Sequence, residues 1–150
     1  MKKEFVMRGQ TASDGTEVLN FSGYKPGYAY RMTEFQIYPG AGIGSVAYEL
    51  AATVTAAKTF EDPENPNFEN EGLIATAFLA NSSTPTYTSG NLNSIVNDTF
   101  LITQDLILAV VDSQAGSPIA VNWQCKFMPV KLSSTEAALT NYRQFSIFDE

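Results

Sequence analysis

Trp123, Cys125 and Phe127 alternate along an apolar run from Ile119 to Leu132, and a second apolar run, Thr99 to Val111, precedes it. Neighbouring side chains of an extended strand point to opposite faces, so this period of two marks a half-buried strand. Similar runs recur through the whole chain. Thr16 to Phe21 reads as a short strand ended by Ser22 and Gly23, and Tyr28 to Tyr38 as a long one ended by Pro39 and Gly40. Within the long run the apolar phase changes. Tyr28, Tyr30 and Met32 share one parity and Phe35 and Ile37 the other, which predicts a bulge between them. Val46 to Thr55 alternates too. Val46, Leu50 and Val54 also fit a helix, but the Thr-Val-Thr end favours the pleat. Leu73 to Leu79 is apolar on both parities, so both of its faces are expected to be covered.

The connections complete the prediction. Phe60 to Glu71 is a loop rich in Pro, Asn and acids, and Asn81 to Asn93 is a polar Ser/Thr loop. Thr103-Gln104-Asp105 interrupts the Thr99 run and reads as a bend between two shorter strands. Gly116 and Pro118 turn the chain between the last two runs, and Pro129 suits a strand edge or bulge. Ser133-Ser134-Thr135-Glu136 matches a Ser-x-x-Glu capping box, and Ala137, Ala138 and Leu139 follow it, so a short C-terminal helix is expected near Ser134 to Arg143. Phe145, Ile147 and Phe148 then form an apolar end. Seven to nine strands with regular turn signals predict a single all-β domain over residues 1–150. Its expected form is an antiparallel β-sandwich, jelly-roll-like because of the two long connections.

Composition narrows the chemistry. Nine Lys and Arg against sixteen Asp and Glu give a net charge of −7. An acidic domain repels phosphate backbones, and no basic face appears beyond Lys2, Lys3 and Arg8, so nucleic acid is not an expected partner. Nor is a membrane, since no apolar run approaches the roughly 18 residues of a span. Met1-Lys2-Lys3 is followed by Glu4 and no apolar stretch, so no secretion signal is read and a cytoplasmic site of synthesis is expected. There is no histidine, which excludes a histidine triad and imidazole metal ligation. The single cysteine, Cys125, lies in the phase expected to be buried and reads as an inert core thiol. Trp123 shares that phase and is read as core.

Three motifs carry possible chemistry. Gly42-Ile43-Gly44-Ser45-Val46-Ala47 has the form G-x-G-x-x-A, with Glu61 at a suitable distance for a ribose contact. That motif needs a helix to follow, and the downstream segment alternates, so the glycines are read as a loop. Asp62, Glu64, Glu69 and Glu71 crowd one loop, a density that suits calcium, but without the order of an EF-hand they read as a solvated acidic loop. Sixteen carboxylates leave room for a glycosidase-like pair, yet no spacing marks one. No catalytic residue, metal ligand or cofactor is therefore assigned.

The stretch from Asn97-Asp98-Thr99 to Val121-Asn122-Trp123, followed by Val130-Lys131-Leu132-Ser133 and Glu136 leading into a terminal helix, resembles small β-rich proteins encoded in marine bacteriophage and viral genomes. The resemblance covers the last third of the chain best. It implies a virion decoration, cement or spike protein with a jelly-roll-like domain, often a trimer, and it brings no catalytic residue.

The expected function is a non-enzymatic structural protein that assembles as a homo-oligomer, implied to be a trimer, with a major capsid or other virion protein as partner. The virion is then its expected location, after synthesis in the host cytoplasm. Its expected partner-binding residues are Tyr24, Tyr28, Tyr30, Phe145, Ile147 and Phe148, with the basic N-terminal segment docking as well. The alternative is a carbohydrate-binding module. Tyr24, Tyr28, Tyr30 and Tyr38 lie close together in sequence, and exposed tyrosines suit protein and sugar interfaces. Tyr24, Tyr28, Tyr30 or Tyr87 would then meet the glycan.

Overall fold

The computed structural model describes residues 3–21, 27–42, 47–81, 93–114 and 116–133. In chain order the strands are β1 (Phe5–Thr11), β2 (Thr16–Leu19), β3 (Tyr28–Pro39), β4 (Tyr48–Thr55), β5 (Leu73–Asn81), β6 (Asn93–Val96), β7 (Leu106–Asp112) and β8 (Val121–Lys131). No helix occurs among the described residues. The expected C-terminal helix, and Phe145, Ile147 and Phe148 with it, lie outside them.

Every strand pair is antiparallel. One sheet has the order β1-β8-β3 and the other β2-β7-β4-β5-β6. The pairs β1·β8, β2·β7 and β4·β5 are three of the four rungs of a long hairpin rolled over on itself, as in a jelly roll. The remaining rung would join β3 to β6. Here β6 hydrogen-bonds to β5 instead, although the Ser94 hydroxyl still donates to the carbonyl of Phe35 on β3. Just beyond β6, Ile102 takes the open side of β3, exchanging two backbone hydrogen bonds of 2.9 and 2.7 Å with Tyr30.

The two sheets enclose one core. Phe35, Met32 and Phe127 from the first sheet meet Leu50, Val54 and Leu108 from the second, all essentially without solvent contact. Phe5, Phe21, Tyr30 and Phe127 form an aromatic cluster at one end, with ring centroids 5.0 to 6.4 Å apart. Cys125 and Trp123 are both buried, as their phase predicts.

The bulge lies where the phase changes. Met32 pairs with Phe127 and Glu34 with Lys126, leaving Thr33 as the extra residue. The Thr99 run differs from its expected form. Its first half is reduced to the single bridge at Ile102, and β7 begins only at Leu106. Thr103-Gln104-Asp105 carries the chain between sheets, and the Asp105 carboxylate accepts a 2.6 Å bond from the Phe21 amide.

Two strands go beyond the sequence reading. Phe5–Thr11 is an edge strand, and Asn93–Val96 pairs where a loop is expected to end. Pro129 lies past Phe127, the last residue of β8 to pair with β1, so one flank of β8 needs no donor there.

Candidate functional site

Two surfaces stand out, one on each sheet. The first is the outer face of the three-stranded sheet. Burial alternates along β8, with Val121, Trp123, Cys125 and Phe127 inward, so Asn122, Gln124 and Lys126 point outward. The register places Arg8, Gln124 and Gln36 in one row across the three strands, and Gln10, Asn122 and Tyr38 in the row two residues on. Between the rows run the backbones of Gly9, Trp123 and Ile37. They form the floor of an open groove of about 680 Å³.

The groove's side chains brace one another. Both Nε and Nη2 of Arg8 donate to Oε1 of Gln124, the former at 3.0 Å. Gln10 Nε2 donates to Asn122 Oδ1 at 2.9 Å, and Asn122 Nδ2 donates to the Pro39 carbonyl at 3.2 Å. In the row on the other side of Gln124, Lys126 lies 3.9 Å from Glu34. Tyr38 is 56% exposed on the same face. Its phenol lies near that of Tyr48, whose pKa is raised first by burial and then by this neighbour.

The second surface is the outer face of the five-stranded sheet at its β5–β6 edge. Phe68, Phe78 and Ile95 are 60%, 47% and 55% exposed. Thr76 faces Ile95 and Phe78 faces Asn93, so Phe78 and Ile95 are diagonal neighbours on one face. Phe68 reaches the same edge from the acidic loop, and it lines a 150 Å³ hollow with Ile95 and Thr76. β6 is only four residues long and ends the sheet.

The acidic loop is folded onto the outside of β4. The Thr53 hydroxyl donates to the Glu61 carbonyl at 2.6 Å, and the Glu61 amide donates to the Thr55 hydroxyl at 3.1 Å. The Glu61 carboxylate accepts from the Asn67 amide at 3.1 Å and from the Asn70 side chain at 2.5 Å. Asp62 accepts from the amide of Glu64 at 2.9 Å and Glu64 accepts from the Ser113 hydroxyl at 3.0 Å. These carboxylates serve as turn acceptors. Among the described residues no group of three or more acidic or cysteine side chains is arranged to hold a metal ion.

The tyrosines named from sequence part company. Tyr30 is half-buried, its ring 5.4 Å from Phe5 and 5.3 Å from Phe21, and burial raises its pKa. Tyr28 is half-buried in the same phase. Tyr24 and Tyr87 lie outside the described residues. Gly42 precedes a strand, Tyr48–Thr55, so no helix follows to meet a pyrophosphate. No helix among the described residues is long and apolar enough to cross a membrane. Compared with known proteins, the chain matches no family model, and no curated protein matches it.

Proposed function

We propose that this protein is a non-enzymatic structural component of a virion, of the decoration, cement or spike type, that assembles with copies of itself. The observation that carries the assembly is the apolar edge formed by Phe68, Phe78 and Ile95 at β5 and β6. Exposed apolar side chains gathered on one edge mark a protein contact. The chain's charge of −7 opposes self-association wherever carboxylates would meet. Phe68, Thr76, Phe78, Asn93 and Ile95 carry no charge, so these side chains add no like charge to the contact. The virion setting is supported by the resemblance of the last third of the chain and by analogy of fold, since jelly rolls serve as viral capsid and lectin domains.

The test is solution mass by light scattering during size exclusion. A stable assembly, as a trimer three times 16.4 kDa, is expected. Phe78→Asp with Ile95→Asp should give a folded monomer by circular dichroism. Removal of residues 144–150 asks the same of Phe145, Ile147 and Phe148. A wild-type monomer at all concentrations would overturn the assembly reading. An unchanged oligomer in the double variant would remove the β5–β6 edge from it.

A further inference from the structure

We infer that the groove on the outer face of the three-stranded sheet is a binding site for a neutral oligosaccharide. The inference stands on a different face from the proposed assembly edge and does not depend on it.

The floor decides against an extended peptide. Around Gln124, β8 is paired on both flanks, with Arg8 on β1 and Gln36 on β3. No backbone edge is open there for a strand to join, so recognition falls to side chains. Those side chains are flat amides, a guanidinium and a phenol. Each amide carries both donors and acceptors, the pairing that adjacent sugar hydroxyls require.

The bracing fixes which ends face the ligand. Arg8 holds Oε1 of Gln124, which directs that side chain's amide group to the groove. Asn122 is held at both ends, by Gln10 and by the Pro39 carbonyl, and so forms a rigid step beside the floor. Gln36 and Tyr38 are both exposed on this face, where their polar ends can meet a ligand. The exposed Tyr38 ring offers an apolar face on which the C–H face of a pyranose can stack.

The overall charge favours a neutral ligand. The chain carries −7 overall, Lys126 lies beside Glu34, and the Nε and Nη2 donors of Arg8 are already taken by the Gln124 amide, which leaves an anionic glycan little to pair with on this face. The groove's volume of about 680 Å³ lies within the range of sites that hold small ligands, about 300–1,000 Å³. It is open at the surface, which suits a segment of a longer chain.

The experiment is a titration of the full-length protein with neutral tri- and tetrasaccharides of glucose, mannose, galactose and N-acetylglucosamine, with alginate and heparin fragments as anionic controls. Amide chemical shifts report the site. Saturable shifts of Gln36, Tyr38, Asn122 and Gln124 with at least one neutral probe are expected. Tyr38→Ala should weaken binding at least tenfold, and Tyr38→Phe should keep most of it, because the ring persists. Both variants change an exposed side chain, so melting temperature and oligomer mass should stay as in the wild type. Three results would overturn the proposal: no saturable shifts at millimolar concentrations of any neutral probe, binding confined to the anionic fragments, or full affinity in Tyr38→Ala.

Discussion

The indole Nε1 of Trp123 donates to the hydroxyl of Thr11 across 3.0 Å, and the ring reaches it by lying over Gly9 on the neighbouring strand. A Cβ at Gly9 would stand 2.8 Å from Cζ2 of that ring. The glycine, the tryptophan and the threonine therefore act as one device that clamps the edge strand β1 to β8. Gly9→Ala should displace the ring and cost about 1–3 kcal/mol. Thr11→Val, which keeps the shape and removes the acceptor, should cost a similar ~1–3 kcal/mol by leaving a buried N–H unpaired. Urea unfolding followed by the fluorescence of the only tryptophan measures both. Midpoints equal to the wild type would show that the clamp contributes nothing.

Asp112 is a second such point. It is buried at the end of β7, and its Oδ1 accepts from the amides of Glu49 and Gln114 at 3.0 and 3.1 Å. Its Oδ2 accepts from the Ile119 amide at 3.0 Å. One carboxylate thus ties the start of β4 to both ends of the turn that leads into β8. Asp112→Ala should cost on the order of 3 kcal/mol, since charged acceptors are worth more than neutral ones and the amides lose their partner together. Asp112→Asn keeps one oxygen and should cost less. Thermal melts that rank the two variants the other way would contradict this role.

Strand positions were legible wherever burial imposed a period of two. The bulge at Thr33 is the clearest case, because a residue left out of register flips every later side chain and writes a phase change into the sequence. That flip also separates the tyrosines of this strand. Tyr30 lies before it and turns inward, whereas Tyr38 lies after it and turns out to solvent. β1 and β6 left weaker traces. Only Phe5 and Met7 are in phase before Gly9, and Asn93 and Ser94 carry no apolar signal, so both strands owe their form to the neighbours they pair with. The groove was not legible at all. Arg8, Gln36 and Gln124 come from distant parts of the chain, and only the order β1-β8-β3 sets them in one row.

The acidic loop should behave as a docked lid that ignores calcium. Its anchor is Glu61, whose backbone holds Thr53 and Thr55 and whose carboxylate closes the turn at Asn67 and Asn70. Glu61→Ala should cost about 1.5–3 kcal/mol and open the segment 62–70 to limited proteolysis. Calcium and EDTA should leave the melting temperature of the wild type unchanged. A calcium-dependent rise would mean that these carboxylates can leave their turn amides for a cation.

Cys125 makes the last prediction, because its thiol is fully enclosed among core side chains. Burial holds its pKa well above the ordinary 9.0, since the thiolate would lose its hydration. The folded chain then retains a proton that the unfolded chain releases above pH 9. Where the folded state binds the extra proton, stability falls as pH rises. The thiol's contribution is therefore fully present below pH 9 and declines above it, by up to about 1.4 kcal/mol per pH unit for a single group. Cys125→Ala removes this term, at the cost of a small cavity, so its stability should fall less steeply between pH 9 and 10. Iodoacetamide should leave the native thiol untouched at pH 8 and label it completely in urea. Rapid labelling of the native protein, or parallel pH profiles for Cys125→Ala and the wild type, would contradict a sealed and protonated thiol.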